Sequence, residues 1–452
     1  MGKLFGTDGI RGEVNCAPLF PEQILKVGFG LGQYWRSNVS GGSDTVVIGR
    51  DSRLSGGYLE NLLAAALQGS GFDVVKMGLT STPALSYLTK KREVSGGIMI
   101  SASHNPFYDN GIKPFQASGE KFTDDQERSV EKLIRGNEFE PVFREKIGTD
   151  SYRPQWNEDY INVLKAKTVN YGGHVVIDCA NGSNSKIAPA VLEEMCAQLT
   201  VLNDNPDGIN INRGCGSLHI GELVAAVESC GADLGFAFDG DADRVLAVDE
   251  YGRVVDGDTL MYLLARQLLP RGQKADGLVI TVMSNLGLRV ALEKAGVDYS
   301  VVGVGDRQVY NEMKQKGWCL GGEQSGHIID RNWLPTGDGL NTVVKVLALL
   351  DNEDLLLADF NDQVPEYPQV LYNIKVKSKP SLERLKKTSQ LIAEIEEKLG
   401  SEGRVLVRYS GTEPLARVML EGKSENQIKK YATEIINLLQ EEIGELGEIK
   451  ND

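Results

Sequence analysis

Asp239, Asp241 and Asp243 stand two residues apart in the run Asp239-Gly240-Asp241-Ala242-Asp243-Arg244. Alternation at a strand end puts such residues on one side, and three carboxylates that close repel strongly unless a cation sits among them. Oxygen-only ligands suit Mg²⁺, with positions left for a phosphate oxygen and water. An EF-hand loop is the rival, because Glu250 falls at its twelfth position. Arg244, however, occupies the place where that turn needs Gly, and the flanks Phe236-Ala237-Phe238 and Val245-Leu246-Ala247-Val248 are strand-like. Glu250 fits a hairpin turn, Asp249-Glu250-Tyr251-Gly252, better.

Three further polar loops complement this cation site. Ser103, in Ser101-Ala102-Ser103-His104-Asn105-Pro106, has no G-x-S-x-G elbow, and four histidines in all are present to act as a base. Asn-Pro makes a tight turn that would hold the serine at a strand tip, and a phosphorylated serine would bring about two negative charges to the cation. Taken alone, an ordinary Ser-Asn-Pro turn explains the same residues. Residues 321–327, Gly-Gly-Glu-Gln-Ser-Gly-His, alternate Glu323, Ser325 and His327 between glycines that permit close backbone approach. Carboxylate and hydroxyl there suit neighbouring sugar hydroxyls, although a plain polar turn would read alike. Residues 408–414, Arg-Tyr-Ser-Gly-Thr-Glu-Pro, offer the Arg408 fork and the amides of Ser410, Gly411 and Thr412 as a phosphate nest, with Arg417 as a second cation. A β-turn carrying a surface arginine is the simpler alternative. Near the N-terminus, residues 5–12 set three glycines around Arg11, a weaker anion-approaching loop. Lys113 lies close enough to Ser103 in sequence to be a proton-transfer candidate.

Elements that could position these loops recur three times. Strand-like runs at 46–50, 72–75 and 97–100, with a helical stretch at 58–69, lead into the Ser103 loop. Runs at 175–178, 199–202 and 234–238, with helices near 187–195 and at 221–228, lead into the Asp239 loop. Runs at 278–281, 299–302 and 318–320, with helices at 286–294 and 308–316, lead into the Glu323 loop. Apolar strands alternating with amphipathic helices predict mainly parallel sheets with helical crossovers, whose ligands bind beyond the carboxyl ends of the strands. The expectation is an α/β protein of three similar domains, 1–150, 151–253 and 254–364, around a central cleft. After a hinge at Pro365 and Pro368, a smaller α+β domain, 365–452, follows: strand 370–376, helix 381–399, strands 404–408 and 416–420, and a closing helix.

Bulk properties agree with a soluble enzyme of several domains. At 452 residues the chain exceeds what one core holds. A net charge of -15 without a basic stripe argues against nucleic acid, while a few local arginines still suffice for small anions. Six cysteines without C-x-x-C spacing fit reduced thiols. No apolar run approaches the roughly 18 residues of a membrane span, and the first residues lack a signal-peptide core, so a cytoplasmic protein is expected. There is no G-x-G-x-x-G after a strand, and Arg417 stands where a Walker A motif ending at Ser424 needs Gly; no nucleotide cofactor is expected.

These four loops, in this order and one per domain, resemble those of the α-D-phosphohexomutase superfamily, over nearly the whole chain. Within it, residues 5–12, 321–327 and 410–414 are similar to the bacterial phosphoglucosamine mutases; phosphomannomutases and phosphoglucomutases more often carry Met in place of Gln324 and Asn in place of Gly411. The resemblance implies that Ser103 is a required phosphoserine and that Asp239, Asp241 and Asp243 hold one Mg²⁺ with a phosphoserine oxygen. It implies that Arg244 neutralises the transferring phosphoryl, and that Glu323 and Ser325 grip sugar hydroxyls. Arg408, Ser410, Gly411 and Thr412 would hold the phosphate that is not transferring, and Arg11, Lys113 and His327 would serve acid–base or charge roles. The implied reaction is reversible conversion of glucosamine 6-phosphate to glucosamine 1-phosphate through the 1,6-bisphosphate, supplying UDP-N-acetylglucosamine and cell-wall precursors. A phosphomannomutase or phosphoglucomutase, and a non-catalytic sugar-phosphate sensor, stay as alternatives. An aspartyl phosphatase fits less well, because a separate serine loop precedes the Asp loop. The partner is a small hexosamine phosphate, with neither nucleic acid nor membrane, and a homodimer is left open.

Overall fold

The computed structural model describes residues 3–6, 8–38, 43–137, 139–167, 169–266, 277–353, 355–410, 414–443 and 449–451. Two compact units divide the chain: Met1–Met283 with Val297–Asp362, and Ser284–Gly296 with Gln363–Asp452.

Three sheets make up the first unit. The first sheet holds β1 (Ile10–Glu13), β2 (Thr45–Arg50), β3 (Asp73–Leu79), β4 (Gly96–Ile100), β5 (Asp109–Gln116) and β6 (Asp150–Tyr152), in the order β1-β5-β4-β2-β3-β6. The second holds β7 (Tyr171–Asp178), β8 (Cys196–Leu202), β9 (Leu234–Phe238), β10 (Val245–Val248) and β11 (Val254–Val255), in the order β11-β10-β9-β7-β8. The third holds β12 (Leu278–Thr281), β13 (Tyr299–Val302), β14 (Leu320–Gly322) and β15 (Ile328–Asp330), in the order β13-β12-β14-β15.

One rule repeats in all three sheets. Each sheet contains a parallel pair: β4 with β2, β9 with β7, β14 with β12. Their short continuous apolar runs, such as the fully buried β4 and β9, are what a sheet covered on both faces requires. Each last parallel strand then turns back into an antiparallel neighbour: β4 into β5, β9 into β10, β14 into β15. The three polar loops are the connections of these hairpins. The sheets are therefore mixed, and each loop sits at the carboxyl end of its parallel strand with both of its ends pinned.

Helix Pro21–Asn38 packs its buried face, including Ile24, Val27, Leu31 and Trp35, into the core of the first sheet with Leu59, Leu63 and Leu67 of helix Gly56–Gly69. Helix Asp124–Gly136 opens on a capping box, Thr123 with Gln126.

The second unit is α+β. Its antiparallel sheet runs β17 (Gly403–Tyr409), β18 (Leu415–Gly422), β16 (Gln369–Lys375), β19 (Ile449–Asn451), with helices Lys386–Leu399 and Glu425–Ile443 completing the core. The segment 284–296, whose helix the sequence pattern assigns to the third repeat, groups with this unit. Buried Glu421 accounts for part of the grouping: it accepts from Leu286 N (3.1 Å) and pairs with Arg404, which donates to Ser284 O (2.7 Å). A carboxylate without solvent needs such donors.

Candidate active site

Ser103 follows β4 with φ +53°, a left-handed conformation that costs an L-residue about 1–2 kcal/mol. Its side chain is buried, and Oγ donates to Asp239 Oδ2 at 2.5 Å. The loop after β4 and the loop after β9 therefore meet at the serine. Gly240 permits the contact: a Cβ there would lie 2.6 Å from Ser103 O and 2.9 Å from Asn212 Nδ2.

Asp239, Asp241 and Asp243 are all buried, and ligand oxygens from the three lie within 4.8 Å of one another. Asp239 Oδ1 accepts from Arg244 N (3.2 Å). Asp241 Oδ2 accepts from Thr82 Oγ1 (2.6 Å) and Lys113 Nζ (2.7 Å). Asp241 Oδ1 is buried without a hydrogen-bond partner, and Asp243 Oδ1 has His327 Nδ1 at 3.4 Å. Burial, with Asp241 and Asp243 beside it, pushes Asp239 up to about 8. For Asp241, burial and Asp243 work against the charge, but Lys113 and Thr82 outweigh them and hold it below the usual range. An unpartnered buried oxygen on Asp241 and a neighbouring carboxylate driven toward its neutral form show more negative charge than the surrounding donors satisfy. The residues fit a hard cation with oxygen ligands. Glu250 is no part of this group: its carboxylate accepts from Leu357 N (2.8 Å) and Ala358 N (3.0 Å), which removes the EF-hand alternative.

Lys113, on β5, is buried, with Nζ 2.7 Å from Asp241 Oδ2 and 3.0 Å from Asp8 Oδ2. Burial opposes its charge, but Asp241 and Asp8 hold its pKa above the ordinary value. Arg11 pairs with Asp8 at 2.5 Å and reaches Ala102 O at 3.4 Å. Arg244 donates from Nη1 to His104 Nδ1 (3.1 Å). Burial, then Arg244 and Arg11, push His104 down to about 4, so this neighbour of the serine is a neutral imidazole at pH 7.

His327 brings the third sheet to the Asp loop, with Nδ1 3.4 Å from Asp243 Oδ1. Burial lowers its pKa, Asp243 and Asp306 raise it, and the net direction is up. Gly337 N donates to Nε2 (3.1 Å), so Nε2 is an acceptor and the ring proton sits on Nδ1, facing Asp243. That backbone amide cannot turn away, and it opposes a second proton. Glu323 accepts from Gly305 N (3.1 Å) and from Ser325 Oγ (3.3 Å), with Ser325 exposed. Gly326 (φ +88°) lets this loop lie on β10: a Cβ would stand 2.1 Å from Val245 O, and Gly326 O accepts from Val245 N (3.1 Å).

Predicted residues Ser103, Arg11, Lys113, Asp239, Asp241, Asp243, Arg244 and His327 thus form one connected cluster in the first unit. Glu323 joins it through the field it exerts on Arg244. Sequence reasoning passed over Asp8, Thr82, His104, Lys121 and Asp306. Lys121 joins Asp8 (2.8 Å) to Asp306 (2.5 Å), tying the first sheet's domain to the third's. His104 stood in the Ser103 motif and was legible there; Thr82 and Asp306 had no local signal. In the second unit Arg408 lies opposite Arg417 in the β17–β18 register, and burial and Arg417 both push its pKa down. Lys379 Nζ donates to Ser410 O at 2.5 Å. Three cationic side chains thus neighbour the start of the predicted clamp, while Gly411 and Thr412 lie outside the described residues.

Comparison with known proteins decides the family. Four models of the phosphoglucomutase/phosphomannomutase family match in order: α/β/α domain I over residues 2–141, domain II over 157–252, domain III over 256–367 and the C-terminal domain over 371–438. The chain belongs to this family. Two relatives called phosphoglucosamine mutase, from Geotalea daltonii and Pseudomonas fluorescens, are each 42% identical to it. The first alignment covers 98% of this chain and 99% of the relative, the second 97% and 99%. Among solved structures, a phosphoglucomutase/phosphomannomutase family protein from Burkholderia thailandensis superposes with a TM-score of 0.84 at 24% identity, covering 98% and 99% of the two chains. An N-acetylphosphoglucosamine mutase from Aspergillus fumigatus gives a TM-score of 0.67 at 18% identity over 97% and 96%. Both share the four-domain fold of the family. Among the described residues, no helix is long and apolar enough to cross a membrane.

Proposed function

We infer that the protein is a phosphoglucosamine mutase, interconverting glucosamine 6-phosphate and glucosamine 1-phosphate through a phosphorylated Ser103 and a bound 1,6-bisphosphate. The observation that carries this reading is the Ser103 hydroxyl at 2.5 Å from a buried three-carboxylate group. The choice of sugar is supported by the 42% identity to relatives bearing that name.

In this reading residues 1–150 carry the phosphoserine, 151–253 the metal, 254–364 the sugar and 365–452 the second phosphate. Asp239, Asp241 and Asp243 would hold Mg²⁺, which supplies neutralisation of phosphoryl charge. Ser103 gives its phosphoryl to the free sugar hydroxyl: the Oγ–P bond breaks, a new O–P bond forms at the sugar oxygen, and the hydroxyl proton ends on Ser103 Oγ. The bisphosphate then turns end for end and returns its other phosphate to Ser103. Arg244 and Arg11 flank the serine as cations for a phosphoryl whose charge spreads over its oxygens. Lys113, ion-paired with Asp8 and Asp241, acts as a fixed charge. Neutral His104 contributes no charge of its own beside the serine. His327, its proton on Nδ1, orients Asp243. Glu323 and Ser325 take sugar hydroxyls, and Arg408, Ser410, Gly411, Thr412 and Arg417 take the phosphate that is not reacting.

The test is intact-mass measurement with and without a hexose 1,6-bisphosphate, together with kcat/KM for glucosamine, glucose and mannose 6-phosphates. One phosphate on Ser103, lost activity in Ser103→Ala and preference for glucosamine 6-phosphate are expected. Full activity of Ser103→Ala would overturn the mutase reading, and better turnover of mannose 6-phosphate would overturn the sugar.

A further inference from the structure

Arg53 is buried two residues beyond Asp51, and all five of its N–H groups are engaged. Nε donates to Asp51 Oδ2 (2.8 Å), and the other four reach carbonyls of the β4–β5 connection and of the first residue of β5. Nη2 donates to Ser103 O (2.9 Å) and Asn105 O (2.8 Å), and Nη1 to Asp109 O (3.0 Å) and Pro106 O. Asp51 Oδ2 also accepts from Ser101 Oγ (2.7 Å), and Ser101 Oγ accepts from Ser103 N (2.8 Å). The contacts close a ring, Arg53 to Asp51 to Ser101 to Ser103 and back to Arg53. The Ser103 residue is gripped by its N–H on one side and its C=O on the other. Asn212, from the second domain, adds a further donor to Ser103 O (2.9 Å).

A left-handed serine persists only where its surroundings over-determine it. A cation taken out of water normally faces carboxylates; this one meets a single carboxylate and turns its remaining donors on backbone carbonyls. Lysine, with three donors on one nitrogen, cannot reproduce that fork. The geometry of the ring serves one outcome, the direction of Ser103 Oγ toward Asp239.

We propose that Arg53, acting with Asp51 and Ser101, is a positioning residue for phosphoryl transfer: it fixes the Ser103 backbone so that the phosphorylated oxygen is presented to the carboxylate site, without touching substrate. The proposal rests on Ser103 as the phosphoryl carrier.

The test uses full-length Arg53→Lys, Arg53→Ala and Ser101→Ala. Three readouts apply: kcat and KM, the rate at which Ser103 gains phosphate from a hexose 1,6-bisphosphate, and amide hydrogen exchange over residues 101–109. Misplacing a reacting group by about 1 Å can cost on the order of 100-fold. A loss of that order is expected in kcat and in phosphorylation rate for Arg53→Ala and Ser101→Ala, with KM within about threefold by the same positioning argument. Faster exchange in the loop is expected, Arg53→Lys should not restore the rate, and added guanidinium should partly rescue Arg53→Ala alone. If Arg53→Ala does not fold, Ser101→Ala, a smaller change, decides. Wild-type kcat and wild-type exchange in Ser101→Ala would overturn the proposal, as would losses that appear only in KM. Hydrogen exchange needs no turnover. A wild-type protein inactive on every hexosamine phosphate therefore sinks the functional reading, while the ring is still judged by that measurement.

Discussion

Ser103 Oγ donates to Asp239 Oδ2 at 2.5 Å, a bond between two loops 136 residues apart in the chain. It joins the proposed phosphoryl carrier to the carboxylate group proposed to hold its cation, and it makes the ionisation of Asp239 a measure of that site.

Burial first, and Asp241 and Asp243 next, push the Asp239 carboxyl up to about 8, against about 3.9 in an unfolded chain. Between those values the native state holds the extra proton, so metal-free stability falls as pH rises through the window and levels off above about 8. Mg²⁺ must displace that proton. Its affinity should therefore rise from pH 6.5 to 8, with up to one proton released, as calorimetry in buffers of different ionisation enthalpy reads it. Binding independent of pH over this range would count against the assignment.

Gly240→Ala sets a methyl 2.6 Å from Ser103 O, with Ile211 Cδ1 at 2.8 Å. Parting the Ser103 loop from the Asp loop should lower kcat by on the order of 100-fold, with the melting temperature changed by only a few degrees. Activity equal to that of the unsubstituted protein would show that the contact does not set the geometry.

His104 is held near 4 by burial, Arg244 and Arg11. Its ring signals in heteronuclear NMR should stay those of a neutral imidazole from pH 5.5 to 8. A midpoint above 6 would require Arg244 to point elsewhere.

Tyr160 Oη lies 2.8 Å from both oxygens of Asp338, a buried carboxylate that also accepts from Trp333 Nε1 (2.7 Å). Tyr160→Phe leaves that carboxylate one donor short in a joint between the second and third α/β domains. A cost of about 1–3 kcal/mol is expected, seen as a lower melting temperature with kcat little changed at 25 °C. An unchanged melting temperature would mean the joint does not need the hydroxyl.

The sequence by itself determined the repeated α/β pattern, because apolar strands and amphipathic helices announce their own periods. It also marked Ser103, the three aspartates, Arg244 and His327, because clustered polar residues at strand ends stand out from an apolar background. Hairpin return of each sheet was hidden for β5 and β15, since a strand's direction is set by its pairing partner and not by its residues. The ring around Ser103 was equally hidden: Asp51 and Arg53 lie about fifty residues upstream, and a buried arginine reads like any surface arginine until its carbonyl partners are known. Lys113 was legible only as a lysine near the serine. Its place between Asp8 and Asp241 was decided by two strands and a loop meeting in space, because ion pairing depends on distance through the fold and not along the chain.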